Sequence, residues 1–391
     1  MTIRIVLYSH DSVGLGHIRR NLALAHALTE RLGRERGEAV TGMLIAGRPE
    51  ATEFPPPPGW DWLIVPGVRR EPDGYAARAL DVDLDTLAAV RGGAFHAAVS
   101  SFRPDLIIVD RHPLGVAREL DSALRAVRRE QPGCAVVLGL RDVLDAPDVA
   151  RAEWRAAGGG RSLRRLFDAV WVFGDPAVHD ASATGELPAG LRGLVRHTGY
   201  LSAGRTRGAG FTVDEPFVLT TVGGGADGAR LATAAAAAPV PEGYRHLVVL
   251  GPQMPAAERA AVRAVAAEGT RVVRRVPDVL ALAQRAAAVV CMGGYNTLCE
   301  VMSTRTPALV VPRVARRAEQ LIRARALARA GAVDTALPDD IDAAVIGAWF
   351  ASRVGTQTSR SALALDGLAS VSRLAGDLLD ARTERGERVA V

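Results

Sequence analysis

The 391-residue chain contains no lysine; all 48 of its basic residues are arginine. Three kinds of site need an ammonium group and are therefore excluded: a Walker-type phosphate loop, a pyridoxal Schiff base and a kinase-type phosphate lysine. Abundant alanine and glycine make a GC-rich genome the simplest cause. Cysteine is scarce too. Cys134, Cys291 and Cys299 sit in or beside apolar segments without metal-ligand spacing, as expected of reduced core residues in a cytoplasmic protein. Apolar runs fall short of the roughly 18 residues needed to span a membrane. The opening MTIRIVLYS passes straight into a strand pattern without a charged leader and cleavage site, and the Arg19-Arg20 pair lies in a polar, helix-like stretch that is no export signal. The net charge of +5 is spread along the chain, with no helix-turn-helix, RNA-recognition or zinc-finger pattern, so nucleic acid is not expected as a partner.

Apolar residues make up 48% of the chain and charged residues 23%, the balance of a globular protein. The length suits two domains of roughly 150 to 200 residues. Short apolar runs (IRIVLYS, VTGMLIAG, WLIVPG, DLIIVD, AVVLGL, AVWVFG, RHTGYL) alternate with helix-length segments over the first two hundred residues, which indicates a doubly wound parallel sheet. The small, flexible stretch from Ser202 to Gly210 reads as a linker, after which FVLTTV, YRHLVVLG, TRVVRRV, AAVVCM, PALVVP and GAVDTAL restart the alternation. The expectation is an α/β protein of two Rossmann-like domains, residues 1–203 and 204–391. Leu365, Leu368, Val371, Leu374 and Leu378 recur at helical spacing in a last segment that either caps its own domain or packs back on the first. The final ten residues look frayed.

The stretch from Ala288 to Gly331 is the most informative. A buried strand breaks at Gly293-Gly294, a helix follows, a second strand ends at Pro312, and Glu319-Gln320 opens the next helix. Such junctions point their loops at the sheet end where open α/β sheets bind ligands. Gly223, Gly224 and Gly225 form a further strand-to-helix junction, whose main-chain amides and helix dipole suit a diphosphate; a tight turn without a ligand reads equally well. Thr297 offers a hydroxyl to a phosphate, and Glu300 a carboxylate to two ribose hydroxyls. The same residues fit a capping box, Thr297-x-x-Glu300, with Asn296 as a good N-cap. Glu319 and Gln320 can grip two adjacent sugar hydroxyls, or form a solvated helix start.

Near the N-terminus, Gly14 and Gly16 loosen the loop after the first strand, and His17 opens a helix. An imidazole there can take a proton from an attacking hydroxyl, with Asp110 at the end of DLIIVD to hold its tautomer. A backbone-satisfied His17 is the plainer alternative, and His10 and Asp11 compete for the role. The Asp81-x-Asp83-x-Asp85 series resembles a metal-binding pattern but reads better as helix N-terminal charge. Trp154 with Arg151, Arg155, Arg161, Arg164 and Arg165 reads as a basic patch for an anionic acceptor or a lipid surface, or as a solvated helix face.

Taken together, YSHDSVGLGHIRRNLALA, TVGGGADG and MGGYNTLCE resemble the metal-independent GT-B glycosyltransferases of the MurG-like superfamily, and within it a bacterial group of predicted glycosyltransferases. The likeness covers nearly the whole chain. It implies a GT-B fold, two Rossmann-like domains with parallel sheets facing across a cleft. It places Gly14 and Gly16 near the reacting sugar and makes His17 the base. It sets the 223–225 loop on the diphosphate, Val276 at the nucleobase, Glu300 on the ribose, and Glu319 and Gln320 on the donor sugar. MurG carries a simpler Gly-rich first loop and two Gln residues at the sugar, so acceptor chemistry and donor sugar stay open.

The expected activity is inverting, metal-independent transfer of a sugar from a nucleotide diphosphate sugar, with UDP favoured, to an acceptor hydroxyl. No cofactor is expected beyond this co-substrate. The acceptor is a lipid-linked sugar, a polysaccharide or a small natural product. The expected location is cytoplasmic, with peripheral membrane contact left open because MurG docks on membranes. The rival readings are a nucleotide-sugar 2-epimerase or hydrolase on the same fold and a non-catalytic nucleotide-sugar-binding subunit.

Overall fold

Runs such as LIIVD and AVVLGL place apolar side chains at successive positions, as strands covered on both faces require. A computed structural model of the chain describes residues 2–9, 14–71, 74–205, 211, 213–315 and 317–389, with side chains as far as 382. It divides the chain into two units. The first comprises Met1–Gly174, Asp180–Gly204 and Asp366–Val391, and the second Asp175–His179 and Arg205–Leu365.

In the first unit the strands are β1 (Thr2–Tyr8), β2 (Ala39–Ala46), β3 (Trp60–Ile64), the hairpin β4 (Val68–Glu71) and β5 (Gly74–Ala77), β6 (Leu106–Asp110), β7 (Ala135–Arg141), β8 (Ala169–Phe173) and β9 (Val195–His197). All but the hairpin form one parallel sheet, in the order β3-β2-β1-β6-β7-β8-β9. The chain winds outward from β1 to β3 and then returns to β6 on the other side. Connections after β1 and β6 therefore leave on opposite faces of the sheet, the arrangement at which open α/β sheets bind ligands. Val6, Val109, Leu138 and Val170 join Phe95, Leu124 and Trp154 in the core on one face.

The second unit repeats the plan with β10 (Phe217–Thr221), β11 (Arg245–Val249), β12 (Thr270–Val273), β13 (Val289–Cys291), β14 (Ala308–Val310) and β15 (Asp334–Thr335). Their order, β12-β11-β10-β13-β14-β15, is again parallel throughout and reverses between β10 and β13. Cys134, Cys291 and Cys299 are buried and form no disulfide. No described helix is long and apolar enough to cross a membrane.

Several local expectations need correction. The β4-β5 hairpin has a polar, arginine-rich sequence that gave no strand signal. Trp154 is a core residue whose Nε1 donates to the Glu186 carbonyl at 2.7 Å, so the basic patch loses its aromatic. The last segment is the helix Gly367–Val389, which extends into the stretch expected to fray. Its buried seam is Leu368, Val371, Ala375 and Leu379, while Leu374 and Leu378 are half-buried and Leu365 precedes the helix. The helix belongs to the first unit, where Ser372 Oγ donates to the Ala27 carbonyl at 3.2 Å and Arg382 pairs with Asp168. The short segment at 175–179 belongs instead to the second unit, where Asp175 Oδ2 accepts from the Ala364 amide at 2.9 Å.

His246, on β11, is buried with Nε2 2.8 Å from Thr220 Oγ1 and its ring edge-on to Phe350. Burial pushes its pKa down to about 3. The folded state thus refuses a proton that the unfolded chain takes near pH 6.5, so stability is complete above that pH and falls as the pH drops towards 3. Urea unfolding should lose up to about 1.4 kcal/mol per pH unit from this group across the window. His246→Gln should reduce that slope; an unchanged slope would contradict the assignment.

Candidate functional site

In the first unit the reversal point brings the ends of β1 and β6 together. The helix Gly16–Ala27 starts after β1, with Leu15 as an N-cap that supplies no side-chain bond. Asn21 Nδ2 donates to Ser9 Oγ at 2.9 Å and ties this helix to the end of β1. His17 Nδ1 then lies 2.9 Å from Oδ2 of Asp110, the last residue of β6. Arg20, one turn along the helix, places Nη2 at 2.6 Å from both Asp110 oxygens and 3.0 Å from His17 Nδ1. Asp110 and Arg20 are buried, whereas the His17 side chain keeps 21% exposure. Gly14 and Gly16 flank Leu15 in this same unit, beside His17.

Charge fixes the protonation pattern. Burial alone would raise the Asp110 pKa, but Arg20 and His17 outweigh it and hold the carboxyl far below the usual carboxylate range. An ionised carboxylate only accepts, so the Asp110 contact selects the tautomer with the proton on Nδ1 and the lone pair on Nε2, while the Arg20 contact with the same Nδ1 opposes it. Burial lowers the His17 pKa from 6.5; Asp110 opposes this, and Arg20 and Arg141 reinforce it. A neutral, oriented imidazole can accept a proton from a hydroxyl. The Asp110 side chain is thus one partner that holds the His17 ring. The rival positions His10 and Asp11 lie outside the described residues.

In the second unit the loops after β10, β13 and β14 share one end of the sheet. Gly223 and Gly225 have φ of +64° and +92°, where a side chain is strained. A Cβ on Gly225 would stand 2.2 Å from the Leu250 carbonyl, so no larger residue fits there. On Gly223 a Cβ would point at Thr297 Oγ1 from 3.7 Å, which places the first Gly-rich loop against the start of the helix Tyr295–Met302. Gln253, whose amide donates to the Gly224 carbonyl at 2.9 Å, covers Gly224. The helix after this loop, Ala229–Ala236, begins only beyond Gly228, so main-chain amides lie nearer the loop than the helix end does.

The capping reading of Glu300 fails. The N-cap of Tyr295–Met302 is Gly294, without a side-chain cap bond, so Asn296 and Thr297 lie inside the first turn and Glu300 in the second. Asn296 Oδ1 accepts from Arg205 Nη2 at 3.1 Å, and Arg205 Nη1 lies 3.6 Å from Glu300 Oε1. Glu300 is buried. Glu319 opens the helix Glu319–Arg329 but is no solvated helix start: it is buried, 3.5 Å from Arg313 Nη2, while Arg313 Nη1 pairs with Asp227 at 2.9 Å. Gln320 Oε1 accepts from the Arg313 amide at 3.0 Å. Buried Arg323 donates to the Gly293 carbonyl at 3.0 Å and lies over the Tyr295 ring. Val276 occupies the loop between β12 and the helix Val279–Arg285, at the same sheet end but beyond β11.

The structure therefore gathers Gly223, Gly224, Gly225, Gly293, Gly294, Thr297, Glu300, Glu319 and Gln320 around one sheet end, and His17 with Asp110 at the corresponding end of the other sheet. The motifs did not reveal Arg20, Arg205, Gln253, Arg313 or Arg323. The spacing i to i+3 from His17 to Arg20, and from Gln320 to Arg323, was the available signal. Asp83 caps the helix Leu84–Phe102, its Oδ1 accepting from the Thr86 amide at 2.7 Å. Among the described residues no group of three or more His, Cys, Asp or Glu is placed to hold a metal ion.

The two glycines after β13 differ in what surrounds them. A Cβ on Gly293 would lie 3.0 Å from the Gln320 carbonyl, whereas one on Gly294 would meet nothing within 4 Å. Gly293→Ala should cost about 1–3 kcal/mol by forcing the loop off its neighbouring helix, and Gly294→Ala less than about 1 kcal/mol as an N-cap change. Denaturant melts of both variants test this ranking; equal losses would refute it.

No protein-family model and no curated protein sequence matches the chain. Among solved structures it is similar to the spinosyn forosaminyltransferase SpnP, at 15% identity over 99% of both chains with a TM-score of 0.59. The glycosyltransferase VinC in complex with dTDP is similar at 16% identity over 100% of this chain and 98% of that one, with a TM-score of 0.58. MurG of Acinetobacter baumannii is similar at 15% identity over 98% and 99%, with a TM-score of 0.54. The chain has the GT-B fold, built from two Rossmann-like units with parallel sheets.

Proposed function

We propose that the protein is a glycosyltransferase that moves a sugar from a nucleotide diphosphate sugar to an acceptor hydroxyl, with inversion and without a metal ion. The observation that carries this reading is the convergence of two glycine loops, Thr297 and the buried carboxylate of Glu300 at the reversal point of the second sheet, in a chain of GT-B fold. That set suits a nucleoside diphosphate. Amides at Gly223–Gly225 approach the phosphates, Glu300 accepts the ribose hydroxyls once Arg205 yields it, and Val276 marks the end of the site assigned to the base. Glu319 and Gln320, held by Arg313, face the sugar.

The first unit supplies the proton acceptor. As the acceptor oxygen attacks the anomeric carbon, its proton passes to His17 Nε2. The bond from that carbon to the diphosphate breaks, and the electron pair leaves with the diphosphate. Preorganised amide dipoles stabilise the charge that develops there. UDP is the favoured nucleotide; a solved GT-B neighbour was obtained with dTDP, so thymidine nucleotides belong in the same screen.

Thermal-shift titration with UDP, GDP, dTDP and their sugars identifies the donor. Glu300→Ala should then weaken nucleotide binding by about 1–3 kcal/mol by calorimetry, and His17→Ala should abolish transfer while leaving nucleotide affinity intact. Because the His17 pKa is lowered, kcat/KM should lose activity on the acid side only below about pH 6.5. Consumption of the donor without any acceptor would favour an epimerase or hydrolase instead. Tight nucleotide binding with no turnover over a broad acceptor panel, and no effect of His17→Ala, would favour a non-catalytic subunit.

A further inference from the structure

Arg20 is an arginine with an unusual setting: it lies on the helix that carries His17, is buried, and spends one guanidinium nitrogen on both oxygens of Asp110 at 2.6 Å. The same nitrogen stands 3.0 Å from His17 Nδ1. Three groups therefore share one small volume, a cation, an anion and a titratable ring. Asn21 anchors the neighbouring position of the helix to Ser9, so this geometry is fixed by the β1 end as well as by the ion pair.

A carboxylate alone beside an imidazole has two effects. It selects the Nδ1–H tautomer, and it attracts a proton to the ring, which makes imidazolium. For a base the first effect is useful and the second is harmful, because a protonated ring has no lone pair to offer. A guanidinium paired with the same carboxylate separates the two effects. It cancels most of the charge that would protonate the ring and leaves the oxygen in place to accept Nδ1–H.

We propose that Arg20 is a positioning residue of the base: it neutralises Asp110, so that the carboxylate orients His17 without charging it. This rests on the reading of His17 as proton acceptor. Among the described residues, the charged groups that act on the ring are Asp110 from β6, Arg20 from its own helix and Arg141 from the end of β7. Arg20 contacts both His17 and Asp110 in the geometry described above. Lysine at this position would keep the charge but lose the planar, multi-donor grip.

The test needs no substrate. Full-length protein with 13C,15N-labelled histidine is titrated by NMR, with the His17 signal assigned from the spectrum of His17→Gln. In the unmodified protein at pH 7, His17 should be neutral with the proton on Nδ1; imidazolium or the Nε2–H tautomer would overturn the proposal without any variant. Arg20→Gln should move the His17 midpoint upward by about one pH unit or more, and Arg20→Lys should keep it within about half that shift. A folded Arg20→Gln protein with an unmoved midpoint would also overturn it. Should Arg20→Gln fail to fold, the tautomer measurement and Arg20→Lys still decide. Transfer assays are run separately: the titration shift without any transferase activity sustains the role of Arg20 and sinks the proposed function, whereas activity without the shift does the reverse.

Discussion

Parallel strands with their reversal of order at one point constrain everything placed at the two sites. Where β1 meets β6, and where β10 meets β13, the outgoing connections leave on opposite faces of each sheet. Residues more than ninety positions apart, such as His17 and Asp110, become neighbours because each terminates or follows a central strand. The glycines serve the same constraint. Gly225 packs against the Leu250 carbonyl with no room for a methyl group, which lets the β10 loop close over the sheet end and lie beside Thr297.

The absence of lysine gives the interior its chemistry. Every buried cation is a guanidinium, and several use their planar donors to stitch backbone as well as carboxylates. Arg360 donates to the carbonyls of Ala332, Thr304 and Thr306. Arg91 reaches the Pro66 carbonyl and Tyr8 and pairs with Glu119, whose carboxylate also receives the Tyr8 hydroxyl and the Val116 amide. Arg323 holds the Gly293 carbonyl. Arg91 and Arg323, both on helices, thereby pin loops at the carboxyl ends of the two sheets, whereas Arg360 ties together the segments that lead into β14 and β15.

Central strands were legible because burial on both faces writes an unbroken apolar run, as in DLIIVD and AVVLGL. The hairpin β4-β5 was not, since VRRE exposes three of its four residues, GYAA buries only Ala77, and neither carries the run or the alternation. The glycine junctions and the histidine were visible as motifs, but local spacing misled at Glu300. A capping box requires the helix to begin at Thr297, whereas the chain turns into helix already after Gly294, driven by tertiary packing of Tyr295 and Leu298. Arg20 was invisible for a different reason: an arginine in an amphipathic helix resembles a surface residue until a carboxylate from a distant strand meets it. The last helix was recognised by its leucines, yet its seam falls one residue off at Ala375 and Leu379 because packing in the first unit selects the face.

The central claim is that the second unit clasps a nucleotide diphosphate sugar through main-chain amides and the Glu300 carboxylate. Crystals grown with a UDP or dTDP sugar test it most directly. The account predicts density at the ends of β10, β13 and β14, with phosphates on the Gly223–Gly225 amides and both ribose hydroxyls on Glu300, released from Arg205. A nucleotide seated on the first unit, or a ribose turned away from Glu300, would contradict it.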